Sequence, residues 1–317
     1  MPLTLEQYAD YLDTRSDLFW PAPPECEPPK AKPHLVRLPQ VRIVLWNVYG
    51  TLLRISLGEL VLEHPQEFVM STALEKTAQE FRMWPAMTRR PGLPGEYLRL
   101  MYKNALAELQ FQPGNQERYP EILADKIWTQ IVKKLMHNEY TFDVEFYGSL
   151  DEYCRKIAYF FHQSLQAVGP YSGMDRALTY VHDHLDGQGL LADGQCFSVV
   201  QLAREFRRLD PNRSLEEVCP RMWHFWSWEQ RARKPSERLF REAVRRLQAN
   251  GYEPWHVLHV GSSIERDVLP ARKLGMHTAL FAGDKTSLRA TKEQLKDRAS
   301  RPDVLLTELN QIEEVVG

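Results

Sequence analysis

The chain has 317 residues, 43 % of them hydrophobic, with 40 Lys and Arg against 42 Asp and Glu and a formal charge of −2. That length allows two domains of ordinary size and a sizeable core. The balanced charge gives no electrostatic case for nucleic acid as a main partner, and no apolar run approaches the roughly 20 residues needed to span a bilayer.

Residues 4–14 are predicted as a short helix, because Leu5, Tyr8 and Leu12 fall at helical spacing and Thr4 suits a cap. The start, "MPLTLEQYADYLDTR", is acidic rather than arginine-rich, which makes a poor targeting peptide. Next comes "WPAPPECEPPKAKPHLVRLPQ", with seven prolines in residues 20–40. Such a stretch holds no regular element and is expected to run extended. It is either an arm wrapped over the core or a docking peptide for a protein partner, and the wrap is the plainer reading.

A strand–helix rhythm begins at residue 41 with "RIVLW", residues 42–46, a continuous apolar run suited to a central parallel strand. The rhythm then breaks off. Over residues 58–167, "EYLRLMYKNALAEL", "PEILADKIWTQIVKKL" and "LDEYCRKIAYFFHQSLQ" each place apolar residues along one helical stripe. Only "YTFDVEFY" in that segment resembles a strand. A helical insert after the first strand is therefore expected.

The rhythm resumes near residue 187. Strands are predicted at "GLLA" (189–192), "MWHFW" (222–226), "WHVLHV" (255–260), "HTALF" (277–281) and "DVLL" (303–306). Between them the clearest helix is 236–249, with Leu239, Phe240, Ala243, Val244 and Leu247 on one face and "NG" at its end. The fold class is α/β: a Rossmann-like, doubly wound parallel sheet with an inserted helical domain. The predicted organisation is an N-terminal helix and proline-rich arm (1–40), a core (41–57 plus 168–317) and the insert (58–167).

Four cysteines, Cys26, Cys154, Cys196 and Cys219, lie far apart with no CxxC pair, which suits a reduced, cytoplasmic setting. His182 and His184 face different ways on a helix and are read as surface residues. His256 and His259 are read as strand residues that pack on opposite faces. The tryptophans of "RMWHFWSWEQ" form either an aromatic ligand platform or, more simply, packing against the sheet.

In a parallel α/β sheet, ligands sit beyond the carboxyl ends of the strands. After the first strand comes Asn47-Val48-Tyr49-Gly50-Thr51. After "GLLA" comes Asp193-Gly194-Gln195. Lys234-Pro235 precedes the 236–249 helix, and Gly261-Ser262-Ser263 follows "VLHV", with Asp267 just beyond. Three of these segments carry a resemblance. "LWNVYGTLL", "RKPSERLF" and "HVGSSIERDVLPARKLGM", in this order and around a helical insert, resemble the motifs of the haloacid dehalogenase (HAD) superfamily over residues 41–317.

The resemblance implies a mechanism and tests this chain against it. In the family, an Asp on the first strand attacks phosphorus or carbon and forms a covalent ester. Asn47 stands at that position, and a carboxamide is a poor nucleophile. Tyr49 occupies the next motif place, as in the dehalogenase branch. Ala192 occupies the second-motif place, where a hydroxyl is expected, with Ser198 a weaker substitute because it falls inside the next helix. Lys234 is retained. Ser262 stands where phosphatases carry an acid, Ile264 follows two residues on, and Asp267 is retained. The Gly50 and Thr51 amides, with the Thr51 hydroxyl, are expected to cradle an oxyanion.

Mg²⁺ would serve the phosphatase chemistry, but Asp267 alone of the expected carboxylates remains, so metal binding is expected to be weak and no cofactor is expected. Lys234 and Asp267 form either part of an anion pocket or a relic ion pair. Asn47 is a satisfied polar residue, a ligand contact or a catalytic group. The expected protein is a catalytically impaired binder of a small anionic or phosphorylated metabolite. The alternative is an active hydrolase of phosphatase or dehalogenase type.

Overall fold

A computed structural model describes residues 1–87, 94–111 and 117–317. Residues 88–93 and 112–116, both inside the predicted insert, lie outside the described residues. The chain enters through α1 (Leu5–Asp13), started by a capping box in which the Thr4 hydroxyl accepts from Gln7 N–H and the Gln7 side chain accepts from Thr4 N–H. Its buried face, Tyr8, Ala9 and Leu12, packs onto the helical insert rather than the sheet.

The proline-rich stretch then runs without helix or strand. It is tied down along its length: Glu27 N–H donates to Asp284 Oδ1 at 3.2 Å, His34 pairs with Leu305, and Leu38 N–H donates to the Val315 carbonyl at 2.8 Å. Proline removes backbone donors, so the non-proline residues carry these ties.

β1 (Ile43–Trp46) follows and is buried on both faces. Val44 and Trp46 enter one hydrophobic cluster, Ile43 and Leu45 another, as alternation along a strand requires. The Trp46 indole N–H donates to the buried Gln188 side-chain oxygen at 2.8 Å, so the polar edge of a large ring is satisfied inside the core.

β2 (Leu53–Ile55) leads into the insert: α2 (Glu67–Glu80), α3 (Trp84–Met87), α4 (Pro94–Gln110), α5 (Ala124–Met136), α6 (Val144–Tyr147) and α7 (Leu150–Leu165). Tyr102, Trp128 and Phe161 meet at its centre with ring centroids 5.1–5.7 Å apart. "YTFDVEFY" is not a strand. The Asp143 carboxylate accepts from Phe146 N–H at 3.0 Å and starts the single turn α6, so a local cap overrides β-rich composition over four residues. β3 (Val168–Pro170) returns antiparallel to β2 and closes a short ribbon at the base of the insert.

The remaining elements are α8 (Met174–His184), β4 (Gly187–Ala192), α9 (Ser198–Leu209), α10 (Leu215–Val218), β5 (His224–Trp226), α11 (Ser227–Gln230), α12 (Glu237–Gln248), β6 (Val257–Gly261), α13 (Leu269–Lys273), β7 (His277–Phe281), α14 (Lys292–Lys296) and β8 (Val304–Leu306). The six-stranded sheet has the order β5-β4-β1-β6-β7-β8, and every pair in it is parallel. Trp46 lies in register with Leu190 on one side and Val260 on the other. The carboxyl ends of β4, β1 and β6 thus converge where the strand order reverses, which is where such sheets bind ligands. Among the described residues, no helix is long and apolar enough to cross a membrane. All four cysteines are free thiols.

Candidate functional site

The floor of the site is built on two strand ends and the segment before α12. Asn47 follows β1, Lys234 precedes α12, and Asp267 sits in a π-helical turn, Ile264–Val268, after β6. The Lys234 ammonium donates to Asp267 Oδ1 at 2.5 Å and to Asn47 Oδ1 at 3.0 Å. Asp267 Oδ2 accepts the N–H groups of Ser262 and Ser263, each at 3.0 Å. Gly261 makes this contact possible: a Cβ there would lie 2.2 Å from the Asp267 carboxyl carbon.

These groups are almost fully buried, so their charges are coupled. Burial alone would raise the Asp267 carboxyl, but Lys234 and then His259 overcome it and hold the group well below the usual carboxylate range. His259 corrects the sequence reading. It is more than a packing residue, because its Nε2 lies 3.3 Å from Asp267 Oδ1 and its Nδ1 lies 3.0 Å from the Leu45 carbonyl. Burial and then the Lys234 charge push the ring toward its neutral form. His256 stands apart, in a 3₁₀ turn before β6.

The Asn47 carboxamide is held from both ends. Its Oδ1 accepts from Lys234, and its Nδ2 donates to the Tyr49 carbonyl at 2.8 Å and more weakly to the Thr51 hydroxyl at 3.4 Å. The network fixes the amide orientation, since a flip would set oxygen against a carbonyl and nitrogen against an ammonium.

The expected oxyanion cradle at Gly50 and Thr51 is also corrected. Gly50 N–H donates to the Leu53 carbonyl at 2.7 Å and Thr51 N–H to the Val48 carbonyl at 3.1 Å, so both amides close the turn. Gly50 sits at φ +81°, where L side chains are strained. Among the described residues, the N–H groups of Val48 and Tyr49 have no protein acceptor, and they are the donors this loop leaves open. The Tyr49 phenol donates to Gln201 Oε1 at 2.6 Å and accepts from the Ser198 hydroxyl at 2.8 Å, and burial raises its pKa.

Ala192 ends β4 and is buried. The nearby hydroxyls are placed otherwise than the motif implies. Ser198 is the first residue of α9, and its hydroxyl accepts from Gln195 N–H and donates to Tyr49. Ser227, which the sequence reading missed, accepts from Gly194 N–H at 2.9 Å and donates to Glu121 at 2.5 Å.

Glu121 also escaped notice, because it lies far away in sequence, before α5. Burial pushes its carboxyl up to about 7, with Arg233 pulling the other way. The rest of the mouth is a chain of opposite charges. The Arg266 guanidinium donates to Glu59 at 2.5 Å and, closer still, to Asp193. Arg233 lies 3.8 Å from Glu121 and 4.0 Å from Glu59. Asn47, Tyr49, Lys234, Ser262, Glu59 and Arg266 thus line one small pocket, with Asp193, Glu121 and Arg289 around them.

The donors do not suit Mg²⁺, which prefers several oxygens free to coordinate. Both Asp267 oxygens and Asn47 Oδ1 are already engaged by protein donors. Glu265 is exposed and turned toward Gln294. Among the described residues, no group of three His, Cys, Asp or Glu side chains is placed to hold a metal ion.

Residues 231–312 match the family model described as HAD-hydrolase-like. No curated protein matches the chain. Among solved structures, a 2-haloacid dehalogenase from Pseudomonas syringae pv. Tomato DC3000 is similar, with 16 % identity, a TM-score of 0.51, and coverage of 86 % of this chain and 97 % of that one. A HAD phosphatase from Thermococcus onnurineus has 13 % identity, a TM-score of 0.44 and coverage of 86 % and 97 %. A HAD-hydrolase from Bacillus subtilis, bound to magnesium, has 16 % identity, a TM-score of 0.43 and coverage of 86 % and 96 %. Residues 231–312 are thus similar in sequence to the HAD-hydrolase-like family, and over most of its length the chain shares the fold of that dehalogenase.

Proposed function

We propose that this HAD-like chain binds a small anion between sheet and insert and has lost the covalent step of hydrolysis. One observation supports this above the others: the group at the end of β1 is a carboxamide whose two ends are matched to their partners. A carboxylate in its place would put an oxygen 2.8 Å from the Tyr49 carbonyl, where the Asn47 N–H now sits. The position is therefore complementary to Asn, and an amide oxygen bonded to an ammonium has little electron density to offer an electrophile. Loss of a nucleophile costs several powers of ten in rate. The pocket still offers the Ser262 hydroxyl, the open Tyr49 N–H group, and nearby guanidinium groups.

Isothermal titration with inorganic phosphate and phosphorylated or carboxylate metabolites, run beside turnover assays with and without Mg²⁺, tests the proposal. The expected result is saturable binding with no product, unaffected by chelator. Turnover, or a pocket that takes up none of these anions, would defeat it.

A second reading, hydrolysis by an activated water, has one observation in its favour. Glu121 lines the pocket with a carboxyl that titrates at about 7, a suitable value for a general base. Turnover that vanishes in Glu121→Gln would establish it in place of the first.

A further inference from the structure

Resting on the anion-binding reading, the geometry of the mouth points to a ligand class and to a competitor for it. We infer that the Glu59 side chain is a resident pseudo-ligand: its carboxylate occupies the guanidinium site where a small carboxylate ligand binds, and the ligand enters by displacing it.

Four observations combine. First, Glu59 Oε2 lies between two guanidinium groups, 2.5 Å from Arg266 and 4.0 Å from Arg233, in the pocket that Asn47 and Lys234 also line. Glu59 takes one guanidinium nitrogen of Arg266 and Asp193 the other, and each contact is a charge-assisted hydrogen bond, stronger than a neutral one. Second, Arg266 is positioned from below. Its N–H donates to the Ser263 hydroxyl, and its guanidinium also holds Asp193, whose Oδ1 in turn accepts from Lys234 N–H at 2.8 Å. Asp193 is thus engaged on both oxygens and has a side-chain exposure of 15 %, whereas Glu59 has 41 %. Glu59 is the partner free to leave.

Third, the backbone beneath Glu59 stays put when the side chain rotates. The Gln166 side-chain amide donates to the carbonyls of Ser56 and Glu59 at 2.8 and 3.1 Å, and Arg289 donates to the Leu57 carbonyl at 2.9 Å. Exchange needs only a rotamer change, which exposed side chains make in picoseconds to nanoseconds. Fourth, the group displaced is itself a carboxylate, so a carboxylate ligand inherits the same Arg266 N–H contact and the same charge balance. Displaced Glu59 goes to water at little desolvation cost.

The test titrates acetate and inorganic phosphate into the unaltered chain, Glu59→Gln, Arg266→Lys and Arg266→Gln, with circular dichroism and urea midpoints recorded for each. Glu59→Gln removes the competitor and is expected to tighten acetate binding by about tenfold, the worth of one charge-assisted hydrogen bond. Arg266→Lys keeps the charge but not the two separate nitrogens that hold Asp193 and the exchangeable carboxylate, and is expected to weaken acetate, and Arg266→Gln to lose it. If Glu59→Gln leaves acetate affinity unchanged while phosphate still binds the unaltered chain, the pseudo-ligand idea is wrong and the anion pocket survives. A gain for phosphate but not acetate would overturn the carboxylate assignment. If neither anion binds any of the folded proteins, the anion pocket and this inference fall together.

Discussion

The floor and the mouth of the pocket are built from the same kinds of side chain and behave as opposites. On the floor, Asn47, Lys234, His259 and Asp267 all come from the core, lie almost wholly out of solvent, and satisfy one another within a few ångströms. At the mouth, Glu59, Arg266, Arg233 and Glu121 join the core to the insert and its entrance, and the Glu59 and Arg233 side chains are over a third exposed. Buried charges are strongly coupled and cannot be removed singly, while exposed ones are screened and can exchange. The floor therefore acts as a structural unit that holds the ends of β1 and β6 to the segment before α12. The mouth is where a ligand has something to gain.

Lys234→Met breaks this contrast most severely. It leaves the Asp267 carboxylate buried without its cation, and a cost of about 3–5 kcal/mol is expected in urea unfolding. A cost under 1 kcal/mol would mean that the floor is as loosely coupled as the mouth. Next comes Glu121, the one acid of the mouth that burial has drawn toward floor-like behaviour. Its folded pKa of about 7 lies above the ordinary 4.5. Between those values the folded chain keeps a proton that the unfolded chain has lost, so stability falls as pH rises through this window, by up to about 3 kcal/mol. Urea midpoints at pH 5 and pH 8 measure the slope, and Glu121→Gln is expected to flatten it.

Asn47→Asp sharpens the comparison from the other side. The new carboxylate gains Lys234 but faces the Tyr49 carbonyl, so a loss of about 1–3 kcal/mol is expected, with no recovery of hydrolysis. A variant that is more stable and turns over phosphate esters would show the floor to be fitted to an acid. Glu59→Gln, at the mouth, is expected to change stability by less than about 1 kcal/mol, even where it alters ligand affinity. A larger loss in thermal or urea unfolding would move Glu59 into the structural unit.

Much of this architecture was legible in the residues. All six strands of the sheet are short apolar runs, and their predicted positions overlap β1, β4, β5, β6, β7 and β8, because a strand covered on both faces has no polar alternation to hide it. The amphipathic stripes likewise mark α4, α5 and α7. The β2–β3 ribbon went unseen because three residues per strand carry no period. Three of the four floor residues were legible: motif order singled out Asn47, Lys234 and Asp267, but His259 looked like any apolar-strand residue until β6 placed it beside Asp267. Glu59 and Glu121 had no signal, and Arg233 and Arg266 lay inside motif segments without being singled out. Charged residues far apart in sequence look alike, and only the fold says which ones meet. The Gly50–Thr51 cradle failed for a related reason, since residue types do not tell which amides a turn consumes.

The central claim is that no covalent ester forms at the end of β1. Intact-mass and peptide mass spectrometry of the unaltered chain, quenched during incubation with a phosphate ester or a 2-haloacid in the presence of Mg²⁺, tests it most directly. An unmodified peptide containing Asn47 at every time point is the predicted result. A phosphoryl or carboxyalkyl adduct on that side chain, rising and decaying with product release, would contradict it.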